Sequence, residues 1–447
     1  MRSQGSSVTG VSPGGEAPRL AWACIALAWL VHAGLFLWAV RFPAVMGRTD
    51  RSHERLESVL LFARAASWEE FSAVLAARGI LGDYAWHGIV LRLAGEWRPA
   101  VVLFQLGLLA LSGVALFRMA EALGLRRTRC WAVVALYFLL PVDLMVPHVL
   151  GSEAVFNPLL LIATSQLVLY ARRDAAAWRL AVAGFLLSLA LLTRPLVLGW
   201  LPVALALTTW IALRRTGRRG WLHAAVLALC LGAAPLAWMS FQAARTGSFG
   251  LGASGHDLGA NIAARVQEVH LRAGGYPPPP EQAGTFSAFF TAARVHPGTF
   301  VGEWALHTTK FLLLADNLDL FRYLRLFEPS GRRATLIHTE GLSGAIRSLL
   351  GELPWLSLWL FAGAAAFGLL WALALWGARD ALRTRDVVQR ATLLLLLSGP
   401  VIYVALRVVE SGESRKRSPL DFILALFAVL GWQSFRAWRQ ARSATRA

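Results

Sequence analysis

The chain has 447 residues, of which 56% are hydrophobic and 16% charged, and its formal net charge is +18. This composition, with repeated runs of about twenty apolar residues, excludes an ordinary soluble domain and predicts an all-α polytopic membrane protein. The arginines lie mostly in short loops between the apolar runs, as the positive-inside rule describes, so we expect no nucleic-acid partner.

Residues 1–19 are rich in Gly, Ser and Pro and predict a disordered cytoplasmic tail. The next apolar run is longer than a signal-peptide core, so we expect it to be retained as the first of about ten spans. The predicted spans are 20–41, 98–119, 130–147, 153–171, 178–194, 196–214, 221–242, 355–377, 390–409 and 419–437. They divide the chain into an N-terminal transmembrane module (20–244), a long outer segment (245–353), C-terminal spans (354–438) and a tail (439–447).

The first outer loop, residues 42–97, carries mixed charge between the first two predicted spans. Apolar residues at helical spacing predict an amphipathic interfacial helix over 52–77, interrupted near Ser67. A second short helix is predicted over 83–97. The charge rule places this loop on the outer side of the membrane.

Asp50 lies in this loop, shortly after the first predicted span. A carboxylate here can serve as a general base for a reaction at the outer membrane surface. The alternative is a solvated acid that pairs with Arg48 or Arg51.

The turn before the fourth predicted span contains His148, Ser152 and Glu153, and Ser152 is predicted to cap the helix. An ionisable residue at a membrane boundary indicates function, although Glu153 in headgroup water would also stabilise the helix N-terminus. Arg194 precedes Pro195 at the start of the sixth predicted span. It either meets a ligand or reaches the lipid phosphates.

The long outer segment begins with a glycine-rich stretch, 241–265, which includes Asn261. The glycines predict irregular backbone that approaches a ligand closely. Residues 297–327 have a helical apolar face and predict an interfacial helix.

The loop before the last predicted span carries three cations on the side that should be poor in them: Arg415, Lys416 and Arg417. A lipid phosphate fits this cluster because arginine forks match phosphate oxygens. The alternatives are binding to ordinary headgroups and partial neutralisation by Glu410 and Glu413.

In their order and sidedness, these features resemble the GT-C-fold glycosyltransferases, such as the protein mannosyltransferase and aminoarabinose transferase families. The matching stretches are Asp50 in the first outer loop, residues 82–97, 140–153, 192–195, 240–261 and 413–419. The resemblance implies a GT-C-like fold in a bacterial inner membrane, with the active face extracytoplasmic.

The resemblance also implies inverting transfer of a sugar from a polyprenyl phosphate to a glycan, lipid or protein acceptor. Asp50 is the expected base. The expected substrate-binding residues are His53, Glu54, His148, Glu153, Arg194, Asn261, Arg415, Lys416 and Arg417. No cofactor is expected, because the histidines of the outer loops lack metal-ligand spacing.

Two other functions fit the sequence. A flippase or transporter of lipid-linked sugars would also need cations near lipid phosphate, with polar residues deep in several spans or two similar halves containing broken helices. An O-antigen ligase or polymerase would share the membrane topology and the lipid-linked donor.

Overall fold

The computed structural model describes residues 16–42, 52–78, 82–247, 249–251, 254–276, 278–313, 324, 354–406 and 418–445. Helices dominate these ranges, and no strand occurs within them. The prediction of an all-α polytopic membrane protein is therefore confirmed at the level of helical class and apolar spans.

The helices of the N-terminal module are joined by short loops and single 3₁₀ turns. They are α1 (Glu16–Arg41), α2 (Ser52–Arg64), α3 (Trp68–Arg78), α4 (Gly82–Leu93), α5 (Pro99–Ala122), α6 (Arg127–Leu139), α7 (Pro141–Met145), α8 (Glu153–Arg172), α9 (Ala177–Thr193), α10 (Leu201–Thr216) and α11 (Gly220–Thr246). The outer segment and the C-terminal part contribute α12 (Ser254–Arg272), α13 (Pro280–Ala283), α14 (Phe286–Val295), α15 (Pro297–Leu313), α16 (Pro354–Ala381), α17 (Val387–Leu406) and α18 (Ser418–Ala444).

Within the described ranges, seven helical segments are long and apolar enough to cross a membrane, or eight if one bent pair counts as a span. The prediction of ten spans differs from eight in two ways. It includes α9, which is shorter, and it counts the two halves of the 46-residue segment Leu201–Thr246 as two spans. These halves are α10 and α11, which meet at Gly217 with a φ of 61°. The exact number of spans stays a prediction.

The bent pair consists of α6 and the segment Pro141–His148, whose axes differ by 65°. Leu140 has extended backbone angles (φ −62°, ψ 130°), as expected for a residue before a proline. Pro141 then begins the next short helix at a position that tolerates its missing N–H. Pro141 therefore interrupts the predicted span 130–147.

Two predictions for the outer loops have different outcomes. The break near Ser67 is confirmed: Ser67 Oγ accepts from Glu70 N at 3.1 Å, and Glu70 accepts from Ala66 N at 2.8 Å, so α3 starts on a reciprocal cap. The prediction of irregular backbone over 241–265 holds for 247 and 249–251 but is wrong for 241–246 and 254–265, because α11 continues to Thr246 and α12 begins at Ser254.

The loops after α5, α8, α10 and α16 meet at one end of the bundle, which we call the arginine-rich end. Arg172 pairs with Asp386 at 2.6 Å, Arg173 pairs with Glu121, and Arg215 donates to the carbonyl of Ala171 at 2.8 Å. The opposite end, where α8 begins and α9 ends, is the outer end. The positive-inside rule predicts that the arginine-rich end is cytoplasmic.

Helix α8 lies at the centre of the bundle, in contact with α5, α9, α10, α17 and α18. Nearly all its side chains from Glu153 to Ala171 are buried. Helices α16 and α18 also pack closely: a Cβ at Gly431 would lie 1.8 Å from the carbonyl oxygen of Leu373, and a Cβ at Gly377 would lie 2.2 Å from that of Phe427. The central position of α8 places Glu153 inside the bundle at its outer end.

Candidate functional site

Glu153 and Arg194 form a buried ion pair at the outer end. Arg194 Nη1 lies 3.2 Å from Glu153 Oε1, and their side chains are only 15% and 10% exposed. The Arg194 guanidinium also lies over the Phe156 ring, 5.8 Å from its centroid. Both residues were predicted as candidates separately, and the structure brings them together.

Local backbone structure positions both partners. Glu153 is the first residue of α8, where the helix dipole favours an anion. Arg194 has extended backbone angles and connects α9 to the 3₁₀ helix Pro195–Gly199. The predicted cap at Ser152 is wrong: its side chain makes no capping bond and its hydroxyl instead lies 3.4 Å from Glu153 Oε2.

The beginning of α4 docks beside this pair. A Cβ on Gly82 would lie 2.6 Å from Thr193 Cα and 2.9 Å from the carbonyl oxygen of Leu192. Glycine therefore allows the first outer loop to touch the backbone that immediately precedes Arg194.

A second polar contact fixes α4 against the bundle. Gln105 Nε2 on α5 lies 2.9 Å from His87 Nε2 on α4 and 3.3 Å from the carbonyl oxygen of Val149. Since the amide nitrogen donates, His87 Nε2 accepts and its proton resides on Nδ1. His87 and Gln105 are each 1% exposed. Sequence reasoning missed both residues.

His148 is buried in a histidine pair rather than lining the outer surface. His32 Nδ1 on α1 and His148 Nε2 lie 3.0 Å apart, and the rings are stacked at 5.3 Å between centroids. The side chains are 1% and 0% exposed. One facing nitrogen must donate and the other accept, so the contact requires at least one neutral ring.

Two buried carboxylates lie where the broken span meets the start of α18. Asp143 on α7 is 2% exposed and Asp421 on α18 is fully buried, and the two helices are in contact. Sequence reasoning did not single out these residues, although an acid inside an apolar run was a usable signal.

The start of α18 is also tied directly to α8. Asn157 Nδ2 donates to Ser418 Oγ at 2.7 Å, and both side chains are buried. Asn157 lies four residues after Glu153, which is about 6 Å along the helix axis. Ser418 is the first residue of α18, so the start of α18 joins the bundle about one turn from the ion pair.

The remaining predicted site residues cannot be compared with this geometry. Asp50, Arg415, Lys416 and Arg417 lie outside the described residues. His53 and Glu54 are in the first turn of α2, and Asn261 is within α12, but their side chains lie outside the described part. Their roles stay predictions.

One set of metal-type donors occurs in the described part of the outer segment. Glu268 on α12 and Glu303 and His307 on α15 bring their ligand-type atoms within 4.8 Å of one another. Two arginines already balance the carboxylates: Arg265 lies 2.6 Å from Glu268, and Arg272 lies 2.5 Å from Glu303. We interpret the group as an ion-pair network that joins α12 to α15.

The electrostatics of Glu268 agree with this interpretation. Burial opposes its ionisation, but the hydrogen bond with His307 and the charges of Arg265, His307 and Arg272 outweigh burial and lower its pKa from 4.5 to about 2. The carboxylate is therefore ionised near neutral pH, as the network requires.

The chain matches no known protein-family model, and it matches no curated protein. The site must therefore be interpreted from its own residues: a buried acid–arginine pair at the outer end, bordered by α4, by the histidine-containing turn before α8, and by the start of α18.

Proposed function

We propose that this chain is a membrane glycosyltransferase that moves a sugar from a polyprenyl-phosphate donor to an acceptor outside the membrane, with inversion. The observation that carries the proposal is the buried Glu153–Arg194 pair, at a point that α4 reaches through Gly82 and α18 approaches through Ser418. A lipid-phosphate leaving group needs preorganised cations, and an acceptor hydroxyl needs a base.

In the proposed reaction, the acceptor oxygen attacks the anomeric carbon while the bond from that carbon to the phosphate oxygen breaks. Asp50 takes the proton of the acceptor hydroxyl. The electron pair of the broken bond stays on the lipid phosphate, whose growing charge is stabilised by Arg194 and by the cations at 415–417. Glu153 holds the Arg194 guanidinium in place before the donor binds, so little reorganisation is needed during transfer.

The experiment uses the full chain, purified in lipid nanodiscs. The protein is incubated with a panel of labelled polyprenyl-phosphate sugars, and the release of free lipid phosphate is measured. Asp50→Asn should abolish release without altering membrane insertion. Arg194→Lys should reduce release, because an ammonium cannot replace a planar fork. Glu121→Gln, at the arginine-rich end, is the control and should retain release. Activity in Asp50→Asn, or no release by the unaltered protein across the panel, contradicts the proposal.

A second function has its own support. Ionisable side chains are buried along and beside the broken span, at His32, Asp143, His148 and Asp421. Buried ionisable groups in spans are typical of transporters, in which they carry protons or contact substrate. A flippase for lipid-linked sugars would move a fluorescent donor between leaflets of proteoliposomes without releasing lipid phosphate. Pyrophosphate-linked donors are included in the release assay as a separate test for a ligase or polymerase.

A further inference from the structure

An apolar groove runs between α1, α5 and α6 near the arginine-rich end. It has a volume of about 380 Å³, and its walls include Trp22, Trp29, Phe117, Trp131 and Phe138. The aromatic rings support one another: the centroid of Trp131 lies 4.3 Å from that of Trp22 and 4.5 Å from that of Phe117. Such a surface accommodates a hydrocarbon chain but offers almost no hydrogen-bonding group.

Each of the three helices carries an arginine at the same end of its groove-lining face. On α6, Arg127 lies four residues before Trp131; on α1, Arg19 lies three residues before Trp22. Residues three or four apart are neighbours on a helix surface. On α5, Arg118 lines the groove itself. We call Arg19, Arg118 and Arg127 the groove arginines.

The groove arginines differ in their partners from three other arginines at this end. Arg172, Arg173 and Arg179 each pair with a carboxylate. No ion pair or hydrogen bond within the described ranges involves a groove arginine, and all three side chains are exposed. Their combined positive charge is therefore available to an anionic ligand.

We propose that this groove binds an anionic glycerophospholipid of the surrounding leaflet. One acyl chain occupies the aromatic groove, and the phosphate lies among the groove arginines. The guanidinium group suits this role because its planar fork donates to two phosphate oxygens at once. An apolar groove that ends at the membrane surface in three cations matches the two chemically different parts of such a lipid.

The lipid is distinguished from other occupants by charge and shape. A second protein helix would also cover the aromatic face, but it would need acidic residues at one end to meet the groove arginines. A zwitterionic phospholipid would fill the groove while adding a positive group beside them. The anionic lipid matches both the aromatic groove and the groove arginines. This site does not depend on the proposed transferase activity.

Native mass spectrometry of the purified full chain tests the proposal, with phosphatidylglycerol and phosphatidylethanolamine of identical acyl chains as probes. The triple variant Arg19→Gln, Arg118→Gln and Arg127→Gln should weaken phosphatidylglycerol binding by about 10- to 100-fold, given the usual attraction per cation near a membrane. The matched control, Arg218→Gln, Arg219→Gln and Arg385→Gln, removes the same charge from exposed loop positions. It should retain phosphatidylglycerol binding.

A second variant probes the groove without changing charge. Val114 lines the groove and is 58% exposed, so Val114→Trp should fill the space and lower retention of the lipid. Equal loss of binding in both triple variants would overturn the proposal, because it would show attraction to general surface charge only. Equal retention of the two probes by the unaltered protein, or displacement of the lipid by a second copy of the chain, would also overturn it.

Discussion

Replacing Glu153 by Gln removes the negative partner of the buried ion pair while preserving side-chain size. The two charges are 3.2 Å apart, and both side chains are at least 85% buried. With an effective dielectric constant near 20, their attraction is about 5 kcal/mol. Much of that attraction offsets the cost of removing both charges from water, so the net contribution of the pair is smaller.

Removing both partners has a smaller effect than the sum of the two single removals. Either Glu153→Gln or Arg194→Gln leaves one buried charge, and we expect each to lower the free energy of unfolding by about 3–5 kcal/mol. The double variant should lose clearly less than the sum, which corresponds to a coupling energy of about 2–3 kcal/mol. Both variants that carry Arg194→Gln lose the contact between Arg194 and Phe156. This loss therefore cancels when the coupling energy of the ion pair is calculated.

Unfolding by SDS in mixed micelles, followed by circular dichroism, provides the free energies. The same cycle on Arg64 and Glu96 is a matched control, since that pair is 2.8 Å apart but 61% and 42% exposed. Its coupling should be small, because solvent screens exposed pairs. Additive losses at Glu153 and Arg194, or a coupling no larger than the control, would refute the interpretation of a buried, mutually dependent pair.

Gly82→Ala should lower stability and the proposed transferase activity, because the added Cβ would meet the α9 backbone. Gly107→Ala should be tolerated, because there is open space at that position. The two variants are compared by their thermal unfolding temperatures in detergent. His32→Phe removes the bond to His148 and should cost about 1–3 kcal/mol in the SDS assay; an unchanged midpoint would count against that bond. The folded-state pKa of Glu268 is about 2, against an ordinary 4.5, so its contribution is full above pH 4.5 and is lost as pH falls toward 2. Protection of residues 254–313 from hydrogen exchange, after correction for the intrinsic pH dependence of amide exchange, should therefore fall over that pH range, and protection that does not change with pH would contradict the assignment.

The apolar runs predict where long helices lie, because a helix needs about twenty apolar residues to cross a membrane. The predicted span 153–171 matches α8 to within one residue, whereas the predicted span 130–147 is broken at Pro141. The prediction of irregular backbone in the glycine-rich stretch, 241–265, fails over α12 for a physical reason. Ile262, Val266 and Phe289 belong to one buried cluster, so packing of α12 against α14 outweighs the low helix propensity of the glycines.

The candidate site is only partly predictable because sequence identifies residues but not their partners. Glu153 and Arg194 stand out singly as charges at membrane boundaries. Their pairing depends on how α8 and α9 align, which apolar periodicity does not specify. His32 and His87 each lie among apolar neighbours and resemble ordinary core histidines, and their partners come from other helices.

The contacts that assemble the outer end all join segments that are distant in the chain. Gly82 meets Thr193, Gln105 bridges α4 to the turn before α8, and Asn157 bonds Ser418. These contacts join α4 and the start of α18 to α8, to α9 and to the turn before α8, so α4 and the start of α18 acquire their positions only when the bundle has formed. Because Ser418 joins α8 about one turn from Glu153, the start of α18 and the Glu153–Arg194 pair lie on the same part of the bundle. In the proposed transfer, a phosphate bound there would meet a guanidinium that Glu153 already holds in place.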